Sequence, residues 1–238
     1  MKNTERDILI KELAEKYNNP AYFINDPVIF PKHFMQLFLK SKASLPDIEI
    51  AGIIASHLAW GRREMIVRDC NRAMEVMSWK PFDYVMSGCY KECNESLHRT
   101  IKWSDFARIC SNLRSYYTLN DTLEKANAET IRAEIFGQKP DHRAANKKIH
   151  MFFRWMVRND GIVDLGVWKK KDPSELIIPL DVHVHRSALK LGITKRKSAD
   201  FATALEITKY LRKLFPEDPC KGDFALFAHA VSNVKIIR

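Results

Sequence analysis

The sequence predicts an all-α protein built of two helical lobes with a cleft between them. Apolar residues recur at the 3.6-residue helical period in nearly every segment, sustained strand alternation is absent, and breaker residues fall at helix-sized intervals. Residues 5–17 carry Ile8, Leu9, Leu13 and Tyr17 at helical spacing, and Asn18-Asn19-Pro20 ends that helix. Asp26-Pro27 and Phe30-Pro31 punctuate the stretch before a helix over 32–39. Pro46-Asp47 opens a largely apolar helix that reaches about Trp60. Gly61 separates it from an amphipathic helix over 62–78, and Pro81-Phe82-Asp83 starts a shorter one. The middle of the chain reads as helices over 104–117 and 123–136. The segment 138–145, QKPDHRAA, is the candidate hinge, which puts the lobe boundary near 137–143 of a single domain spanning 1–238. Helices then follow over 144–158, 181–192, 198–214 and 223–232.

At 238 residues the chain is long enough to bury a sizeable core, and 46% hydrophobic residues exclude wholesale disorder. Its formal charge of +10 favours a polyanionic partner, because each neutralised phosphate releases counterions. The five cysteines, Cys70, Cys89, Cys93, Cys110 and Cys220, contain no CxxC pair and no zinc-spaced second pair, so reduced thiols in a cytoplasmic protein are expected. The N-terminus is charged and amphipathic rather than signal-like, no apolar run approaches membrane-spanning length, and no Gly-rich phosphate loop appears.

Two segments carry chemistry. In ANKKIHMFFRWMVR, which starts at Ala145, the residues Ile149, Phe152, Phe153 and Met156 define a core face. Lys147 precedes Ile149 by two positions and so projects about 200° away from it, towards a cleft, whereas Lys148 flanks the core face. Two lysines in a first turn oppose the helix dipole, which favours a functional reason for them. In LIIPLDVHVHRSALKLG, 176–192, Leu180, Val184, Ala188 and Leu191 form one apolar stripe, Asp181 stands at the N-cap position and Gly192 at the stop. An N-cap role alone would account for Asp181.

These segments resemble the helix-hairpin-helix DNA glycosylases. The lysine helix of that superfamily is similar to Lys147-x-Ile149-x-x-Phe152-Phe153, and its aspartate motif to Leu180-Asp181-x-His183-Val184-x-Arg186. The resemblance is nearest to the archaeal oxoguanine DNA glycosylases, with their Pro-rich approach to the aspartate, and the chain looks like a member of a bacterial family related to them. It covers 140–232, the expected catalytic core, and implies a DNA repair glycosylase with abasic-site (β) lyase activity on a damaged base such as oxoguanine.

That chemistry needs a neutral amine to attack the sugar C1′ and form a Schiff base, and a carboxylate to stabilise the developing oxocarbenium charge. The resemblance assigns these roles to Lys147 and Asp181, with Lys148 or Arg154 lowering the amine pKa by like charge. A flipped base must enter a pocket. Trp60, Phe152 and Trp168 are the stacking candidates, beside Trp103 and Trp155, and Asp223 is the candidate for base recognition. Arg143, Lys148, Lys169, Lys170 and Arg186 are the candidate DNA contacts. The expected partner is double-stranded DNA with a flipped damaged base, without membrane, metal, iron–sulfur cluster or other cofactor, in the cytoplasm at the nucleoid.

The sequence departs from the superfamily in two places. A Leu-Pro-Gly-x-Gly hairpin is replaced by Asp-His-Arg-Ala-Ala-Asn at 141–146, so His142, Arg143 or Lys148 would have to grip the phosphate. The Lys147–Asp181 spacing is also longer than in the endonuclease III type, by the GIVDLGVWKKKDPSE segment. The alternative reading is a non-catalytic nucleic-acid-binding protein with the same fold. A metal site built on Asp181-x-His183-x-His185 is disfavoured, because on a helix the two histidines point about 200° apart.

Overall fold

A computed structural model describes residues 3–235, with side chains described as far as residue 230. The architecture is mostly helical. In chain order the elements are α1 (Asn3–Tyr17), α2 (Ile29–Phe38), α3 (Leu45–Leu58), α4 (Arg63–Val76), α5 (Pro81–Ser87), β1 (Ser96–His98), β2 (Ile101–Lys102), α6 (Trp103–Leu119), α7 (Ala128–Thr130), α8 (Lys147–Val157), α9 (Val182–Lys190), α10 (Phe201–Leu214) and α11 (Lys221–Lys235). Among the described residues no helix is long and apolar enough to cross a membrane. The chain divides into two compact units, one of residues 1–22 with 141–238 and one of residues 23–140.

The contiguous unit, 23–140, is built on α3. Ser44 and Asp47 cap its start reciprocally: Asp47 N donates to Ser44 Oγ at 3.3 Å, and Ser44 N donates to Asp47 Oδ2 at 2.8 Å. Every residue from Ile48 to Leu58 is buried, Glu49 included. A carboxylate in that position must be satisfied internally, and Glu49 accepts from Tyr117 Oη at 2.8 Å, Thr122 Oγ1 at 2.5 Å and Leu123 N at 3.0 Å. These bonds explain why 123–136 is not the single helix its periodicity predicts. Leu123 N is drawn to Glu49, Ala126 is extended, and Asn127 caps a fresh turn through Thr130 N at 2.8 Å, which continues as a π-helical turn over Ile131–Ile135.

The β1–β2 hairpin is too short for alternation to reveal it in the sequence. His98 anchors it, with Nδ1 at 2.8 Å from Asp69 Oδ2 and Nε2 at 2.9 Å from the Trp60 carbonyl. Burial works to raise the Asp69 carboxyl, but hydrogen bonds from Arg68, His98 and Arg72 outweigh it and hold the group below its ordinary value. The hairpin, α4 and the segment after α3 are thereby joined through His98 and the buried Asp69 carboxylate.

In the discontinuous unit, α1 packs against α11. Its buried residues are Ile10 and Ala14, while Ile8 is 52% exposed, so the inward face differs from the Ile8-centred stripe expected from the sequence. Polar side chains explain the rotation. Arg6 donates from Nε to Tyr210 Oη at 2.8 Å and from Nη1 to the Leu191 carbonyl at 3.2 Å, and Asn18 donates to Asp160 Oδ2 at 2.7 Å. Residues 6, 10, 14 and 18 share one helical face. The segment after α8 folds back on that helix: Leu165 N and Trp168 N donate at 2.9 Å to the Trp155 and Met156 carbonyls, which the helix end leaves without intrahelical partners. The Leu180, Val184, Ala188 and Leu191 stripe of α9 is buried, and Gly192 ends the helix at φ +67° with Ile193 N returning to the Ala188 carbonyl at 2.9 Å.

At Gly222 the α11 backbone approaches α10 so closely that a Cβ would stand 2.5 Å from Leu211 Cδ2 and 2.9 Å from its Cδ1. Leu211 is completely buried and has nowhere to retreat. Gly222→Ala is expected to destabilise the protein by about 1–3 kcal/mol through overpacking, read as a lower midpoint in thermal or urea unfolding; an unchanged midpoint would show that the two helices can separate freely.

Candidate active site

The site is assembled from α8, α9 and α11, all in the discontinuous unit. Helix α8 starts at Lys147, not at Ala144 as its composition suggests, because Asn146 adopts the left-handed conformation at φ 47° and ψ 40°. Asn is among the few residues that take this conformation readily. The Asn146 carbonyl accepts from Ile149 N at 2.9 Å and His150 N at 3.0 Å, and Phe201 N holds the approach by donating to the Arg143 carbonyl at 2.9 Å. Lys147 and Lys148 are consequently fixed in the first turn, both half-buried. Burial, and then the charge of Lys147, bring the Lys148 ammonium down to about 8.

Asp181 caps α9 as its position predicts. Its Oδ1 accepts from His183 N at 2.8 Å and Val184 N at 2.9 Å. Asp223, in the first turn of α11, is 5% exposed. Its Oδ2 accepts from Arg154 Nη1 at 2.9 Å, and its Oδ1 is buried without a hydrogen-bond partner. Burial pushes the Asp223 carboxyl up to about 6 despite the pull of Arg154; the charge of Asp181 pushes the same way, and Lys147 restrains it. Lys147 at the start of α8 and Asp181 at the cap of α9 therefore both act electrostatically on Asp223 in α11.

A buried ion network holds this arrangement. Arg154 donates from Nε to Asp164 Oδ1 at 3.3 Å, besides its bond to Asp223. Arg158 donates from Nη1 to Asp164 Oδ2 at 2.5 Å, from Nη2 to Asp160 Oδ2 at 2.7 Å and from Nε to Asp218 Oδ2 at 2.8 Å. Both guanidinium groups lie over the Phe224 ring, at 4.8 and 4.9 Å from its centroid. Burial disfavours both cations, but the surrounding aspartates hold each above its ordinary value. Arg154 was expected from sequence to depress the Lys147 amine; instead its charge is met by Asp164 and Asp223. The one sequence signal for this network is that Lys147, Arg154 and Arg158 lie at i, i+7 and i+11, on one stripe of α8.

The other predicted residues are placed as follows. Phe152 is completely buried and Trp168 2% exposed, with the rings in T-shaped contact at 5.3 Å. Both rings pack in the core of the discontinuous unit. Trp155 is likewise in the core. Trp60 and Trp103 belong to the contiguous unit, where Arg99 covers the Trp60 ring at 4.0 Å. Arg143, Lys169, Lys170 and Arg186 are exposed, and Lys169 Nζ donates to the Gly166 carbonyl at 2.6 Å. His183 stacks edge-on against Phe227 while His185 Nε2 meets the Arg196 carbonyl at 2.8 Å, so the two imidazoles diverge. Among the described residues no group of three or more His, Cys, Asp or Glu is placed to hold a metal ion.

A helical protein whose second half places an amine and two carboxylates within electrostatic reach of one another is the class that fold and site define. The chain belongs to the family described as "protein of unknown function (DUF2400)", whose family model matches residues 26–137 and 128–232. No curated protein and no solved structure matches it.

The pKa shifts make opposed contributions to stability. The raised Asp223 carboxyl takes up a proton on folding, so its contribution is greatest below its unfolded value and is lost as pH rises through about 6. Buried His150, pushed down to about 4, contributes stability above its unfolded value that is lost as pH falls towards 4. An Asp223→Asn variant isolates the first effect. The unfolding free energy of the wild type minus that of the variant should fall by about 2 kcal/mol between about pH 4 and pH 7, in urea titrations at each pH; a constant difference would mean that Asp223 is freely ionised in the folded state.

Proposed function

We propose that this chain is a helix-hairpin-helix-type DNA repair glycosylase with abasic-site lyase activity. The observation that carries this reading is that buried Asp223, held by Arg154 of the lysine helix, feels the charges of both Lys147 and Asp181. The Lys147 amine attacks C1′ of the damaged nucleotide, the base departs, and a Schiff base forms, from which β-elimination cleaves the strand. Asp181, anchored by two backbone N–H groups, keeps a carboxylate opposite the developing oxocarbenium charge. Lys147 is assigned as the nucleophile because it matches the lysine of the resembled motif and its charge bears on Asp223. Oxoguanine is the substrate suggested by the resemblance of the lysine and aspartate motifs. Duplex DNA is the partner that the +10 charge favours.

The absence of glycines from Asp-His-Arg-Ala-Ala-Asn supports a second reading, a nucleic-acid-binding protein that does no chemistry. Borohydride trapping on duplexes carrying oxoguanine or an abasic site separates the two. A covalent complex is expected with wild type and with Lys148→Gln, and none with Lys147→Gln. Duplex binding without trapping selects the second reading, and loss of trapping in Lys148→Gln alone reassigns the nucleophile. If Lys170 contacts a phosphate, Lys170→Gln should reduce the slope of log affinity against log salt by about 1 and weaken binding equally for all sequences; an unchanged slope removes it from the interface.

A further inference from the structure

Asp223 is buried more completely than catalysis by Lys147 and Asp181 alone would require. Its two oxygens are in different situations. Oδ2 is clamped by Arg154 Nη1 at 2.9 Å, and Arg154 is held in turn by Asp164, so the carboxyl cannot turn away. Oδ1 is enclosed and receives no hydrogen bond. A buried carboxylate oxygen without a donor is costly, and such atoms persist where a role in function retains them. Asp181 is built in the opposite sense: its Oδ1 already accepts two N–H bonds.

On the reading proposed above, the Lys147 ammonium must lose a proton before it can attack. We propose that Asp223 is the base that takes this proton, on Oδ1, while Asp181 faces the sugar. One N–H bond breaks and one O–H bond forms, and no oxidation or reduction is involved. The pair passes from ammonium and carboxylate to amine and carboxylic acid, so no net charge has to be carried through the buried site. Arg154 acts as a positioning residue, through Asp223 alone.

The ordinary carboxylate value would make Asp223 a weak acceptor, and its displacement to about 6 brings it closer to the range in which a general base works near neutrality. The groups that bear on it are Lys147, Arg154 and Arg158 from α8, Asp164 from the following segment, Asp181 from the α9 cap, and Asp218 and Cys220 from the approach to α11. Glu15 of α1, which packs on α11, is paired with Lys221.

The test is the single-turnover rate of borohydride trapping on abasic-site duplex at saturating DNA, measured across about pH 5 to 8.5. Wild type, Asp223→Asn, Asp181→Asn and Arg154→Gln are compared, with circular dichroism confirming that each is folded. The wild-type rate should fall below about pH 6. Asp223→Asn should lose this acid limb and run about 10²-fold slower at its plateau. Asp181→Asn should be slow but keep the limb, displaced to lower pH, and Arg154→Gln should move the limb to higher pH. An acid limb that survives in Asp223→Asn overturns the assignment. If the wild type gives no covalent product, the lyase reading fails by itself, and the proton coupling is then decided by acetic anhydride labelling of Lys147, followed by mass spectrometry. Its labelling midpoint should move down by about one pH unit in Asp223→Asn, and coincident curves would overturn the coupling.

Discussion

The discontinuous unit depends on one buried arrangement, the pair Arg154 and Arg158 stacked on Phe224 and enclosed by Asp160, Asp164, Asp218 and Asp223. A buried charge is tolerable only when its partners are held in place, and removing one member of such a pair typically costs about 3–5 kcal/mol. The network thus constrains every element that supplies a member: α8, the segment that folds back across its end, and the first turn of α11. It also sets the rotation of α8. With Arg154 and Arg158 turned towards their carboxylates, Lys147 lies half-buried on the same stripe, where its charge reaches Asp223. Position and protonation at the site follow from one set of salt bridges.

What was legible in the sequence follows from the range of the interactions concerned. Asp181 and Gly192 were readable because a cap and a stop are local, determined by bonds to residues two to four positions away. The buried stripe of α9 was readable because periodicity is local too. The start of α8 was misplaced by three residues, since Ala144 and Ala145 are good helix formers and only the left-handed Asn146 excludes them. The face of α1 was misjudged because Arg6 and Asn18 turn inward to partners at Tyr210 and Asp160, and no hydrophobic count registers an inward-facing arginine. The Arg154–Asp223 pair spans 69 positions, and neither residue carries a mark that it will be buried.

Neighbouring lysines with different surroundings show why an amine should be assigned by what it faces. Lys148 is the one brought down to about 8, and by that criterion alone it would be the nucleophile. Yet that lowered value comes from burial and a like charge, and a lowered value alone does not make an amine the one that reacts. Lys147, one residue earlier and about 100° around the helix, interacts with Asp223. The adjacent charge that lowers Lys148 also keeps two cations at a helix N-terminus, where exposed N–H dipoles already favour an anion. The same end of α8 is therefore suited both to an amine reaction and to a polyanionic ligand.

The unit that bears the site is made from both ends of the described chain, with the contiguous unit inserted between them. Arg6 and its partner Tyr210 are 204 positions apart. During synthesis from the N-terminus, α1 leaves the ribosome first, yet its packing surface is complete only when α11 has followed. In the interval residues 23–140 can close their own core, for Tyr117, Thr122 and Leu123, which bond Glu49, and Arg68 and His98, which bond Asp69, lie within them. That order shortens the search for α1: a collapsed insert brings its two flanks closer than an extended one would, which lowers the loop-closure entropy of the last docking step. The half of the protein without the lysine thus serves as an early-folding tether for the half that has it.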